Sequence, residues 1–526
     1  MSRSIKGSIV VLLVCAASVG AQEHHPAGEK LGTVHFTTTC APATAPHFDR
    51  AIALLHSFEF GAAIRGFNQA LAVDSTCAIA HWGIALSRWG NPMANNLRAP
   101  AALEQGRQAA SMAAQGRSTA SPREQAFIDA VAKLYENYEN TSQRSRIVAY
   151  EQAMGTVASS YIADTEASVF YALALVGSAP PTDKTYTNQM RAGAMLESMW
   201  AQQPDHPGLA HYIIHAYDVP ALASQAKVAA QRYATIAPSA SHALHMPSHT
   251  FTRVGLWEES VNTNLKSMEA ARRDSAMGEQ LHAMDYATYA YLQMRQDAKA
   301  KAMVDQVPTI VQKYDPTSLR GAASAGAGMY AVAAMPARYA LERREWKEAA
   351  ALEPRSTAFA HTDAITWFAR ALGAARSGDK SKARLALDSL KAAENRLKTA
   401  GDAYWAEQVA IQYLEARAAL YITDGARSDA LETMFEAVKR EDATEKAAVT
   451  PGPIVPAHEL LADMYFELKR YRDALAHYRA SMVKEPGRFR SLYGAMRASA
   501  AIGDKKSKAE FAAQIEKITG STAWTK

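Results

Sequence analysis

The chain is poor in cysteine, in β-forming runs and in excess charge of either sign. Cys15, Cys40 and Cys77 are the only cysteines among 526 residues, and none falls in a Cys-x-x-Cys pair. That spacing excludes a thiol zinc knuckle, a thioredoxin-type redox pair and a Cys-x-x-Cys-His haem attachment. Lys and Arg total 57 against 52 Asp and Glu, a net charge of +5. Without a dense basic block or basic–aromatic interleaving, no nucleic-acid partner is expected. There is no His-Glu-x-x-His, no phosphate-cradling glycine loop and no Gly-x-Ser-x-Gly. Ordinary zincins, P-loop enzymes and α/β-hydrolases are thereby set aside. The only Thr-rich extended run is the short HFTTTCAP, residues 35–42.

Hydrophobic residues make up 48% of the chain and charged ones 21%, ordinary for a protein with a sizeable core. The first residues have the pattern of a secretory signal, assigned to 1–21. Arg3 and Lys6 precede an apolar stretch from Ile9 to Ala17, and Val19-Gly20-Ala21 offers small residues for cleavage. Cys15 follows Leu-Leu-Val, whereas a lipobox needs a small residue before its cysteine, so lipidation is not expected. No later run is apolar enough to span a membrane. The mature protein is expected to be exported, periplasmic or extracellular, and to begin with an extended segment over 22–43. Cys40 and Cys77 would then meet in an oxidising compartment, where a disulfide is expected. It would close a loop of 38 residues, worth about 4 kcal/mol in the chain-entropy account. Two buried free thiols are the alternative.

The remainder is rich in Ala, Leu, Met, Glu, Gln and Lys, with apolar residues at helical spacing. HELLADMYFELKRYRDALAHYRASMVKEP, starting at His458, resembles the tetratricopeptide repeat, a 34-residue helix-turn-helix unit. Leu461, Ala462 and Tyr465 match its first helix, and Ala474, Tyr478 and Pro486 its second helix and stop. Ala63, Phe67 and Ala70 repeat the pattern, as do Ala226, Ala230, Tyr233 and Pro238. Gly255 with Ser260, Gly378 with Ala383 and Leu387, and Gly425 with Ala430 supply further turns and crossings. The resemblance implies an all-α, right-handed α-solenoid of such pairs. It would run over 44–440, continue through a Pro-rich connector at 441–457 containing TPGPIVP, and end in repeats at 458–526.

Seven of the 16 histidines, His206, His211, His215, His242, His245, His249 and His282, lie within 77 residues. Second-helix residues place one repeat start at Pro207 and the next at Ser241, one repeat length apart. A third, looser repeat begins near Leu281, with Arg295 where such repeats usually carry Gly. In these arrays the second, fifth, ninth and twelfth places of the first helix face the concave groove. Those places hold His211, His215 and Asp218, then His242, His245 and His249, then His282, Asp285 and Tyr289. Offsets of three, four and seven residues share one helix face in any case.

Imidazole and carboxylate groups in such numbers are the donors of zinc, iron, copper or manganese. His211, His215, His245 and His249 are expected as inner ligands. His242, His282, Asp218 and Asp285 are expected as further ligands or as groups that hold the ligands in place. The number of donors exceeds one ion's needs, so the surplus could build a second metal site or supply acid–base groups. Tyr289, Arg338 and His242 are candidate catalytic groups, with Arg338 placed to hold an anion. His56 lies near the groove face of the first repeat, and His206 is placed to cap a helix or act as an outer ligand. His81, His361, His458 and His477 are expected to be structural or exposed. HALHMPSH, residues 242–249, is expected to form a helix with a small kink at Pro247.

The blocks HPGLAHYIIHAYD, HALHMPSHTFTRVGLW and TPGPIVPAHELL resemble a group of exported bacterial tetratricopeptide-repeat proteins of unassigned activity. Two functions follow from these residues. One is a metalloenzyme acting on a small molecule or peptide in the groove. The other is a non-catalytic scaffold for peptides or proteins of the cell envelope. Metal storage or delivery would share the first one's site.

Overall fold

The computed structural model describes residues 28–94, 97–323 and 325–525; the expected signal sequence and His24 and His25 lie outside the described residues. Among the described residues every regular element is a helix. Successive helices pack as antiparallel pairs, among them Ala45–His56 with Phe60–Val73, Ala360–Arg376 with Lys380–Thr399, and Ala457–Glu467 with Tyr471–Lys484. The architecture is an α-solenoid of tetratricopeptide-like pairs.

The turn inside each pair shows why the pattern repeats. A residue just after the first helix takes a left-handed conformation, and the next amide reaches back five residues. Leu256 N–H donates to Phe251 O at 2.8 Å, Ala426 N–H to Tyr421 O at 2.9 Å and Arg470 N–H to Tyr465 O at 2.9 Å. Gly255 and Gly425 fill the left-handed place with φ of 71° and 83°, while Arg295 and Lys469 fill it at 58° and 61°. Arg295 thus holds the turn a glycine usually makes, and its guanidinium sits 5.0 Å from the rings of both Phe489 and Trp524. Close helix approach explains the small residues. A Cβ on Gly494 would lie 2.2 Å from the Tyr478 ring.

The first described segment, residues 28–41, has no regular element and lies against the repeats. Thr33 N–H donates to Asp205 O at 2.9 Å, and Phe36 is buried among Phe48, Trp82 and Phe127. Cys40 and Cys77 are joined by a disulfide. No helix among the described residues is long and apolar enough to cross a membrane.

One large core runs from Leu31 to Phe251 and a second from Ala327 to Ile515. Between them lies the helix Met277–Gln293, buried along nearly its whole length, as a helix in the seam between two cores must be. The array also closes on itself. Trp257 Nε1 donates to Gly487 O at 2.9 Å, and Phe489 N–H donates to Gln293 Oε1 at 3.1 Å. The Pro-rich connector is enclosed by that closure. Tyr286 Oη donates to the carbonyls of Ala448 and Thr450 at 3.2 and 3.0 Å.

Candidate metal centre

Three consecutive first helices deliver the histidines. Pro207–Ala216 carries His211 and His215. Ser241–His245 and Pro247–Arg253 together carry His242, His245 and His249, and Met277–Gln293 carries His282. HALHMPSH is interrupted at Met246, because Pro247 has no N–H to continue the ladder. The kink falls where the sequence places it, but the grouping differs from expectation. His242 turns to its neighbours on Pro207–Ala216, while His245 stays with His249.

Six histidines therefore form two triads. In the first, one nitrogen each of His211, His215 and His242 lies within 4.8 Å of the others; in the second the same holds for His245, His249 and His282. All six side chains are buried, none more than 5% exposed. The triads touch, with ring centroids 5.8 Å apart for His242 and His245 and 5.9 Å apart for His215 and His249.

The partners of these rings fix which nitrogen is free. His211 Nδ1 donates to the His56 carbonyl at 2.6 Å, and His242 Nδ1 to Glu279 Oε1 at 3.0 Å. A neutral imidazole that donates through Nδ1 presents a bare lone pair at Nε2. Nε2 of His211, His215 and His242 has no hydrogen-bond partner among the described residues. Glu279 is itself anchored by the amides of Ala322 and Ala323. Burial alone would raise its pKa, but His242 and those amides bring it down to about 2.

The second triad is more telling. His245 Nδ1 donates to Asn264 Oδ1 at 2.7 Å, and the Asn264 amide is oriented by its own donation to Ser260 O at 2.7 Å. His249 Nδ1 donates to Asp218 Oδ2 at 2.9 Å. Both Nε2 atoms are then bare, and they face each other at 3.1 Å. Two lone pairs so placed repel unless a proton or a cation lies between them. Nδ1 of His282 completes the set, without a hydrogen-bond partner among the described residues. Burial, reinforced by the neighbouring rings, holds His211, His215 and His245 well below the usual imidazole range and brings His282 down to about 3. Burial also lowers His249. These five rings are neutral at pH 7 and able to act as ligands.

Asp218 stands behind His249 and outside both triads. Its oxygens accept from His249, from Arg253 Nε at 2.9 Å and from Lys446 Nζ at 3.2 Å. Asp285, Arg338 and Tyr289 depart further from expectation. Arg338 spends its guanidinium on the connector, donating to Thr450 Oγ1, Gly452 O and Pro453 O, and its Nε lies 3.3 Å from Asp285. Burial raises Asp285 to about 6 against the pull of Arg338. Tyr289 Oη meets Glu485 and Arg488. The physical reason is the connector: its carbonyls are buried and must be satisfied, and Arg338 donates to those of Gly452 and Pro453 as Tyr286 does to those of Ala448 and Thr450. Arg338 clamps the connector with Asp285 against it, and no anion site is left at Arg338.

Groups that the sequence did not single out complete the centre. Phe58 stacks on His215 and His242, and Tyr286 packs edge-on against His245. Tyr286 lies four residues after His282, a spacing that could have flagged it. Asn264 lies on a second helix and Phe58 in a turn, places that carry no sequence signal.

A third buried group, His56, Glu166 and His206, has metal-ligand spacing but a different state. His206 Nδ1 accepts from Leu209 N–H, so His206 caps its helix and its Nε2 donates to Glu166 Oε1 at 2.9 Å. His56 accepts from Tyr212 Oη and donates through Nε2 to Glu166 Oε2 at 2.8 Å. Of the remaining histidines, His361 stacks on Trp405, and His458 pairs with His477.

No protein-family model and no curated protein matches the chain. Among solved structures, human IFIT1 with m7Gppp-AAAA overlaps 85% of this chain and 88% of its own at 12% identity and a TM-score of 0.38. Yeast Tom70 overlaps 91% of this chain and 99% of its own at 12% identity and a TM-score of 0.39. Scores this low carry no argument about this chain, and the repeat architecture rests on its own helix pairs and turns.

Proposed function

We propose that this protein is an exported metalloprotein whose two histidine triads each bind a transition-metal ion, and that it acts as a metalloenzyme on a small molecule. The observation that carries the reading is the pair of bare Nε2 atoms of His245 and His249, 3.1 Å apart. Two nitrogens on one tetrahedral ion, each about 2.0–2.1 Å from it, stand about 3.3 Å apart. Ligands whose other nitrogen is held by a carboxylate, amide or carbonyl are the ordinary design of a histidine metal site. Three protein ligands per ion leave a coordination position open, as catalytic sites do and closed structural sites do not.

All-nitrogen triads suit zinc, copper and iron. Manganese, which favours oxygen donors, fits them worst, because the nearby carboxylates are engaged elsewhere. The peptide-scaffold alternative is weaker, since the connector lies where a groove peptide would lie. A small-molecule route remains beside His215, in a cleft also lined by Pro92, Asp183, Gln189, Asp218 and Lys446. Export is supported by the N-terminal pattern and by the Cys40–Cys77 disulfide, which persists only in an oxidising compartment.

Elemental analysis of untagged protein from metal-replete cells should find about two ions per chain. Less than about a tenth of an equivalent of any transition metal would remove the reading. Mass spectrometry of exported protein should find a chain beginning at Gln22.

A further inference from the structure

The two triads differ from a hydrolytic two-metal centre in three ways. Their donors are all imidazoles, so the ligand shell is neutral. The nearest carboxylates are kept from bridging two ions: Asp218 by His249, Arg253 and Lys446, and Glu279 by His242 and two backbone amides. The six side chains are at most 5% exposed and are packed by Phe58 and Tyr286, and the cleft beside His215 is the approach to them.

We infer that the two triads hold a pair of copper ions that bind dioxygen between them. This inference rests on the metal-centre reading above. Copper stands highest among divalent ions for nitrogen donors, and a neutral three-imidazole shell accommodates both of its common oxidation states. The contact between the triads, through His242 with His245 and His215 with His249, sets the two ions side by side. Each cuprous ion gives one electron to dioxygen. The oxygen–oxygen bond order falls from two to one, copper–oxygen bonds form, both ions become cupric, and no proton is required. The ligand fits the burial, because a diatomic molecule needs less room beside the six buried rings than a larger one does. The protein's remaining cysteines after export are joined in the disulfide, so no thiol competes for the oxidant.

The test uses the full mature chain, stripped of metal, loaded under nitrogen with one cuprous ion per triad and then opened to air. The expected result is uptake of dioxygen with an intense near-ultraviolet charge-transfer band and no cupric paramagnetic resonance signal, because two bridged cupric spins cancel. Protein loaded with a single ion, or a His282→Gln variant, should show the uncancelled signal of an isolated cupric ion. Full cupric signal from the doubly loaded protein, failure to consume dioxygen, or zinc that copper cannot displace would each overturn the inference. Metal content measured on the same sample separates the two failures. Two bound but magnetically isolated ions defeat the dioxygen bridge and leave the metal centre standing, whereas absence of bound metal defeats both.

Discussion

The carbonyl of His56 divides two regions of similar composition and opposite chemistry. On one side His211 donates to it and turns a bare Nε2 toward His215 and His242. On the other side the His56 ring, with His206, donates to Glu166. Both groups are buried and both have ligand spacing. What separates them is where each ring's proton goes. In the triads the protons point outward to His56 O, Glu279, Asn264 and Asp218, so lone pairs converge. In the His56–Glu166–His206 group the protons converge on a carboxylate, which stays ionised because both rings outweigh the burial that would neutralise it. A cluster of histidines is therefore a ligand set only when something behind it takes its protons. The converging group lies next to the candidate metal centre, joined to it through the His56 carbonyl.

The comparison breaks most directly on metal removal. Ions present at a thousandfold their dissociation constant stabilise the fold by about 4 kcal/mol per site, so chelation should lower the melting temperature steeply. A His245→Ala/His249→Ala variant should lose one ion and about half of that shift. An unchanged metal content in that variant would remove these two residues as ligands.

Glu166→Ala should do the reverse. It leaves two buried imidazole N–H groups without an acceptor, a loss of about 3 kcal/mol, with about two ions per chain retained. Loss of metal without loss of stability would place Glu166 among the ligands and erase the distinction.

Asn264→Leu removes only the acceptor behind His245. Metal affinity at the second triad should fall about 10–100-fold, with the first triad unaffected, as a competition titration against a chelator would show.

Acidification has the smallest effect per step. The folded values of His211, His215, His245, His249 and His282 lie below the unfolded value of about 6.5, so the unfolded chain binds more protons in the interval between. Stability of the metal-free protein should therefore be fully present above about pH 6.5 and fall as the pH drops toward the folded values. Each ring contributes about 1.4 kcal/mol per pH unit in that interval. For His282 the interval extends down to about 3. Denaturant midpoints flat from pH 7 to pH 5 would show that the rings are not buried neutral.

Much of the fold was legible because its signals are local. Turn residues such as Gly255 and Gly425, small residues such as Ala474 and Gly494, and a spacing of one repeat between Pro207 and Ser241 are read along a single helix pair. The histidine face was legible for the same reason, since offsets of three, four and seven residues share a side of a helix. Arg338 and Tyr289 were misread because their partners, the connector, Glu485 and Arg488, lie more than a hundred residues away in the chain, and Asp285 because it lies against Arg338. Asn264 and Glu279 were missed because an orienting acceptor has no spacing rule.

The amino-acid sequence by itself determined the helical pairs, the face on which the histidines stand, the kink at Pro247 and the cysteine pair. The first three depend on backbone propensity and periodicity over a few turns, and the cysteine pair on the cysteine count. Only the tertiary structure decided that six histidines divide into two triads, that His56 and His206 belong to Glu166, and that the connector fills the groove. Those outcomes depend on which nitrogen of each ring finds an acceptor, and the acceptors come from other elements, brought within 3 Å by the packing of the repeats.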